Sequence, residues 1–266
     1  MSRRAADERL GWYLRAANTA IGLFLLAPIL VVIVASFSSQ AILAFPPQGL
    51  SLRWYRQLFA SNEFRASAAL SLRLGLLSAA AATVLGILAA LGLTALRGRG
   101  AELLRALFVA PLTVPGIVTG IAMLFYFTRL RLGGTFGSLL LAHVALTLPY
   151  VIRIVSAGLL ALDRSVEEAA RSLGASPART LLTVTLPLVK GNVLAAAIFA
   201  FIISFDELVV SLFLVSPRLT TLPVRIYNYI EYTTDPSIAG ISTILVVLTT
   251  VAVVVIDRTV GFRHVV

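Results

Sequence analysis

The chain has 266 residues, of which 59% are hydrophobic and 13% are charged. This composition is too apolar for a single soluble domain. The formal net charge is +10, but the basic residues are scattered along the edges of loops, which in a membrane protein reports topology rather than nucleic-acid binding. The absence of cysteine excludes a disulfide framework, a thiolate metal site and a thiol nucleophile.

Six hydrophobic stretches are long enough to cross a bilayer, whose hydrocarbon core needs roughly 20 apolar residues per helix. They lie at 17–37, 68–95, 103–128, 138–157, 191–215 and 237–257. We therefore expect an all-α membrane protein with six transmembrane helices, forming a single transmembrane domain over residues 1–266. We expect the first stretch to be retained rather than cleaved as a signal peptide, because the acidic Asp7 and Glu8 precede it.

The second and third stretches carry packing signals. The second is rich in Ala, Gly and Ser from Gly75 to Ala90, and small side chains let helix backbones approach closely. The third contains Pro111, Pro115 and the pair Gly116-x-x-x-Gly120. A proline removes a backbone donor and predicts a kink. The kink either marks a moving or pathway-lining helix or serves packing alone, and the sequence leaves both open.

One histidine, His143, lies inside the fourth stretch. An intramembrane histidine can relay protons, but no carboxylate shares this stretch. We therefore expect His143 to be a hydrogen-bonded structural residue.

The polar segment between the fourth and fifth stretches is typical of two helices joined by a tight turn. Ser165 with Glu168 three residues later has the capping-box pattern and predicts the start of the first helix. Gly174 predicts the end of that helix, where a left-handed residue is favoured. Ser176-Pro177 predicts the N-cap and first turn of the second helix.

This segment, about 163–189, resembles the EAA loop of ABC-importer permeases. Glu168-Ala169-Ala170 is followed by Gly174 and then by Val184-x-Leu186-Pro187, between the fourth and fifth of six stretches. The resemblance implies a coupling helix that seats in a cleft of a separate ATPase. It assigns the ATPase-coupling surface to Glu168, Ala169, Ala170, Gly174, Leu186 and Pro187. Whether Glu168 contacts the ATPase or only caps its own helix stays open.

The same resemblance implies the partners of the chain. They are a cytoplasmic ABC ATPase dimer, a second homologous permease subunit, an extracytoplasmic solute-binding protein and the lipid of a bacterial inner membrane, with both termini of this chain in the cytoplasm. The sequence contains no G-x-x-x-x-G-K-[ST] motif, so we expect no nucleotide site, cofactor or metal on this chain, with ATP and Mg²⁺ bound by the ATPase. We accordingly expect a transport subunit and no enzyme. Whether the two permeases are identical stays open.

A second set of polar residues, Ser204, Asp206 and Glu207, lies within the fifth stretch. Acidic groups inside a membrane are costly and usually face a translocation pathway. In a continuous helix Ser204 and Glu207 would share one face, and Asp206 would point about 100° away. The alternative is that one or both carboxylates pair with an arginine such as Arg218 or lie at the membrane surface.

Three stretches of sequence resemble the spermidine/putrescine branch of these permeases, and in particular its second permease subunit. They are PGIVTGIAML, LPYVIRIVSA and SFDELVVSLFLVSPRLTTLPVRIY. The resemblance implies a polyamine or related cationic solute, which would suit the carboxylates. Opines, amino-acid derivatives or another small solute are the alternative cargo. A stand-alone secondary transporter is disfavoured, because the chain has no recognisable duplicated halves.

Overall fold

The computed structural model describes residues 3–42, 45–96, 98–233 and 235–260. Within these ranges the regular structure is helical, with two isolated β-bridges at Ser38–Leu50 and Ser216–Leu219. The predicted all-α class is confirmed there. The chain termini, whose orientation the loop charges predict, lie outside the described residues.

The α-helices of the described ranges are α1 Arg3–Ala35, α2 Arg53–Ala60, α3 Asn62–Ala95, α4 Arg99–Val109, α5 Gly116–Arg129, α6 Phe136–Ala161, α7 Arg164–Ser172, α8 Pro177–Thr180, α9 Leu186–Leu188, α10 Lys190–Asp206, α11 Val209–Leu214, α12 Leu222–Tyr232 and α13 Ser237–Val260. A 3₁₀ turn, Ala110–Thr113, follows α4, and a π-helical turn, Leu181–Thr185, joins α8 to α9.

Three helices are long and apolar enough to cross a membrane. They are α3, α6 and the part of α1 from Trp12 to Ala35. The number rises to five if two bent pairs, Arg99–Thr113 with α5 and Pro177–Leu188 with α10, each count as one span. A shorter apolar helix, Ser237–Val251, lies where the sixth span is predicted. Length and composition therefore support three to five spans among the described residues.

The third predicted span is broken rather than continuous. The helix through Thr113 and α5 meet at an angle of 101°. Val114 between them is extended, with φ −82° and ψ 129°, because the following proline disfavours the helical conformation. The predicted kink is confirmed as a full change of direction.

The fifth predicted span is also interrupted, which corrects the expectation of one helix over 191–215. α10 ends at Asp206, Glu207 is extended with φ −69° and ψ 108°, and α11 starts at Val209. The shared helical face predicted for Ser204 and Glu207 is therefore wrong, because the helical rotation does not continue through Glu207.

The chain divides into two compact units, Met1–Asn62 with Asn228–Leu248 and Glu63–Tyr227 with Thr249–Val266. In the first unit, α2 is held by its aromatic residues. The Trp54 indole is buried and donates from Nε1 to the Ser38 carbonyl at 2.9 Å. The Tyr55 hydroxyl lies 2.6 Å from Ser36 Oγ.

In the second unit, α3 packs with its small residues inward. A Cβ added at Gly75 would lie 3.0 Å from the Phe201 ring of α10, and one at Gly86 would overlap Val151 of α6. Ala82 is fully buried on the same helix. The predicted close packing of the second span is thus confirmed.

The glycine pair of α5 packs against α11. A Cβ at Gly116 would lie 3.3 Å from Val209 Cγ1, and one at Gly120 would overlap the Phe213 ring. α5, which follows the break in the third span, therefore packs against and supports α11, which follows the break in the fifth span.

Candidate functional site

The polar segment folds as the predicted helical hairpin, α7 followed by α8, but its first cap differs from the prediction. The Asp163 carboxylate accepts from the Ser165 backbone N–H at 3.0 Å, and α7 begins at Arg164. The capping box at Ser165 and Glu168 is therefore wrong, because Asp163 already occupies the N-cap position. The hydrogen bonds from Ser165 hold the pKa of the Asp163 carboxyl below its ordinary value.

The turn of the hairpin is built on Gly174, as predicted. Its φ is +86°, a left-handed conformation that glycine adopts without a Cβ penalty. The Gly174 N–H donates to the Arg171 carbonyl at 2.9 Å and the Ala175 N–H donates to the Ala170 carbonyl at 3.1 Å. These two bonds form a Schellman motif, which ends α7 abruptly.

The second helix starts where the sequence predicts. Ser176 Oγ accepts from the Arg179 N–H at 3.3 Å, and Pro177 occupies the first turn. The segment through Leu188 then meets α10 at 72°. Leu186-Pro187 lies just before this bend.

Two adjacent glutamates of α7 have different surroundings. Glu167 Oε1 accepts from Thr185 Oγ1 at 2.5 Å and so joins α7 to the π-helical turn. The Glu168 carboxylate is exposed and has no hydrogen-bonding partner among the described residues. Glu168 therefore does not cap its own helix, and its charge remains available to another surface.

The predicted coupling residues lie together on the hairpin and its exit. Ala169, Gly174 and Pro187 are exposed like Glu168, whereas Ala170 and Leu186 are half-buried. Leu173, which sequence reasoning did not select, is 90% exposed beside the turn.

A cavity of about 320 Å³ lies between the hairpin and the ends of α3 and α6. Its lining includes three charged residues of α7, Arg164, Glu167 and Arg171. The α7 helix is thus separated from the ends of α3 and α6 by open space on this side.

The second predicted set does not converge on one point. Ser204 is buried, Asp206 is exposed and Glu207 is half-buried. Glu207 Oε1 accepts from the Val210 N–H at 2.8 Å and so caps the start of α11. Neither carboxylate forms an ion pair with Arg218 or with another residue in the described ranges.

Ser204 belongs to a buried polar network that the sequence analysis missed. Its Oγ lies 2.7 Å from Ser78 Oγ of α3 and 2.7 Å from His143 Nδ1 of α6. His143 Nε2 lies 3.1 Å from Ser211 Oγ of α11. The expectation that His143 is hydrogen-bonded is confirmed. Ser204 and Ser211, which lie seven residues apart in the predicted fifth span, were the sequence signal that could have identified its partners.

No group of three or more His, Asp or Glu side chains that could hold a metal ion occurs in the part of the chain that the structure describes.

The sequence profile of the family described as "Binding-protein-dependent transport system inner membrane component" matches residues 82–262. The chain belongs to this family. It is therefore a transmembrane permease subunit of a binding-protein-dependent importer, as its residue pattern predicts. The match includes the hairpin, both helix breaks, and His143, Ser204 and Ser211 of the buried polar network.

Two curated relatives are similar to the chain in sequence, and one solved structure shares its fold. The putrescine transport system permease protein PotI of Escherichia coli K12 is 33% identical, over 84% of this chain and 81% of its own. The spermidine/putrescine transport system permease protein PotC of the same strain is 34% identical, over 89% of each chain. A bacterial alginate ABC transporter, in complex with a periplasmic protein, shares the fold with a TM-score of 0.73 at 15% identity, over 99% of this chain and 98% of that one.

Proposed function

We propose that this permease imports putrescine, spermidine or a related cationic solute across a bacterial inner membrane. The observation that carries the proposal is the 33–34% identity to two permeases named for these polyamines. Asp206, an exposed carboxylate at a helix break, fits a cationic cargo. Opines or amino-acid derivatives are the alternative cargo.

The whole chain, residues 1–266, acts in this proposal as one permease domain with six spans. α4 with α5 and α10 with α11 are the broken third and fifth spans, and α13 is the sixth. Both termini then lie in the cytoplasm, together with the α7–α8 hairpin. Placing the three arginines of the hairpin inside, Arg164, Arg171 and Arg179, agrees with the excess of arginine in cytoplasmic loops.

The α7–α8 hairpin is the element through which we propose that a separate ATPase acts. Support comes from its geometry: Glu168 is unpaired among described residues, Ala169 leaves room for close approach, and Gly174 gives a sharp turn. A carboxylate of this kind can accept a charge-assisted hydrogen bond from an arginine of the partner. ATP and Mg²⁺ are bound by that ATPase, and this chain carries no cofactor of its own.

The translocation pathway in this proposal passes the break between α10 and α11. Asp206 faces the solute because its side chain is exposed. Glu207 contributes mainly by capping α11, and Ser204 holds the end of α10 from within the helix bundle. A second permease subunit completes the pathway, and an extracytoplasmic binding protein delivers the solute.

The cargo is tested by stimulation of ATP hydrolysis. The permease would be reconstituted in proteoliposomes with its ATPase, its second permease and its binding protein. ATP hydrolysis is then measured with putrescine, spermidine, an opine or an acylated amino acid outside. We expect stimulation by the two polyamines alone. Stimulation by the opine or the amino-acid derivative, without a response to polyamines, would assign the alternative cargo.

A further inference from the structure

His143 contacts both sides of the break in the fifth span. Its Nδ1 lies 2.7 Å from Ser204 Oγ, two residues before the end of α10, and its Nε2 lies 3.1 Å from Ser211 Oγ in α11. The histidine itself belongs to α6, a separate helix that runs from Phe136 to Ala161. One imidazole ring thus connects two helical segments to a third helix.

The connection lies in the interior of the second unit. His143 is 1% exposed, Ser204 is 4% exposed and Ser211 is fully buried. A polar group at such a site is costly to leave without a hydrogen bond, and these hydroxyls and ring nitrogens are paired with one another. Losing one partner leaves another buried polar atom unsatisfied.

One arrangement of protons satisfies the network. Ser78 donates to Ser204, Ser204 donates to His143 Nδ1, and the Nε2 proton of a neutral imidazole is donated to Ser211. In this arrangement each ring nitrogen makes one bond, in the donor and acceptor roles that neutral histidine offers. No charge needs to be buried.

The chain does not continue as one helix through the break, so side-chain contacts also determine how α10 and α11 meet. Glu207 is extended, and Leu208 lies between it and α11, so the helical hydrogen-bond ladder is interrupted. The Glu207 carboxylate caps α11 but makes no bond to α10. Among the described side chains, His143 is the one that hydrogen-bonds to both α10 and α11.

We propose that His143 is a positioning residue, which fixes the angle between α10 and α11 and thereby the place of Asp206 at the break. The two hydrogen bonds join Ser204 of α10 and Ser211 of α11 to the same imidazole ring of α6. The consequence for solute transport rests on the proposed function, in which Asp206 faces the pathway. The effect on the angle does not depend on the cargo.

The angle can be measured by spin labels because the natural chain has no cysteine. Cysteines replacing Leu194 in α10 and Leu212 in α11 lie at exposed positions on either side of the break. In the assembled transporter we expect one narrow distance distribution between the two labels. His143→Leu and the milder Ser211→Ala should each broaden or shift it.

Thr147→Val is the matched control. Thr147 is fully buried on the same helix, one turn from His143, but its hydroxyl bonds only to carbonyls of α6. This variant removes a buried hydroxyl without touching the break, so its label distribution should equal that of the parent. A change in Thr147→Val equal to that in Ser211→Ala would overturn the proposal, as would an unchanged distribution in folded Ser211→Ala.

Conservative variants provide a second readout. His143→Asn keeps a polar group near the Nδ1 position and should retain the bond to Ser204 while losing Ser211. Adding Ser211→Ala to His143→Asn should therefore change neither the distances nor the KM for uptake further. In the parent, Ser211→Ala should raise KM at least threefold. A full additional loss in the double variant contradicts the bridging role. If polyamines are not the cargo, only the KM measurement fails, and the spin-label distances still test the proposal.

Discussion

At the scale of single residues, the structure separates side chains that look equivalent in the sequence. Glu167 and Glu168 are neighbours, yet the first bonds to Thr185 and the second is exposed. Asp206 and Glu207 are neighbours as well, yet the second caps α11. In each pair one carboxylate stabilises the fold locally and the other remains available for binding.

The pair at the helix break predicts unequal effects on transport. Asp206→Asn removes the exposed charge and should lower the kcat/KM of polyamine uptake about tenfold, which corresponds to roughly 1.4 kcal/mol of lost interaction. Glu207→Gln keeps an acceptor oxygen for the Val210 N–H and should lower it less than threefold. Uptake assays on the two variants check this order. Equal uptake by the parent and Asp206→Asn would remove Asp206 from the pathway.

The pair on the hairpin predicts a separation of stability from assembly. Glu168→Ala should reduce the amount of ATPase that copurifies, because the exposed carboxylate is lost, while the thermal unfolding temperature stays unchanged. Glu167→Ala should lower stability by about 1 kcal/mol, since the buried Thr185 hydroxyl loses its hydrogen-bonding partner. Copurification and thermal unfolding are measured on both variants. Stability loss in Glu168→Ala with normal assembly would contradict the assignment.

At the scale of elements, the sequence predicts where helices lie better than where they bend. Hydrophobic length predicts the positions of α3 and α6, because a bilayer sets the number of apolar residues. The bend before α5 follows from Pro115, a local signal. No proline or glycine marks the break at Glu207 in the sequence. The break is stabilised by the bond from the Val210 N–H to Glu207 and by the contact of His143 with Ser211. These contacts form only in the folded chain, so hydrophobic periodicity does not predict them.

The turn of the hairpin makes a prediction about one position. Gly174→Asp places a Cβ and a charge at φ +86°, and should uncouple or release the ATPase while the membrane helices remain folded. Gly174→Asn is the matched control, because asparagine has similar size, tolerates the left-handed conformation and carries no charge. We expect the asparagine variant to retain most transport. ATPase copurification and uptake are measured together, and normal values in Gly174→Asp would refute the docking role.

The packing of α5 on α11 predicts a graded series of glycine substitutions. Gly120→Ala should destabilise the protein by about 1–3 kcal/mol, because the new methyl group overlaps the Phe213 ring. Gly116→Ala meets Val209 at 3.3 Å and should cost less. Gly92→Ala in α3 has open space and serves as the control, with no loss of stability. Thermal unfolding checks the order, and an unaffected Gly120→Ala would contradict this packing.

At the scale of the whole molecule, the family membership makes this chain one part of a larger importer. The EAA-like pattern predicted that class from sequence because it sits in one continuous segment. The cargo is harder to predict, since a carboxylate such as Asp206 favours a positively charged solute in general and specifies no particular molecule. The proposed polyamine cargo therefore depends on the relatives, and the proposed coupling to an ATPase depends on the hairpin.

The most direct test of coupling is the initial rate of labelled putrescine uptake into proteoliposomes that hold the complete transporter. We predict uptake that requires both ATP and the ATPase subunit, and that is abolished when Gly174→Asp replaces the parent permease. Uptake that continues without the ATPase and follows an imposed ion gradient would contradict the account, because the permease would then work as a secondary transporter.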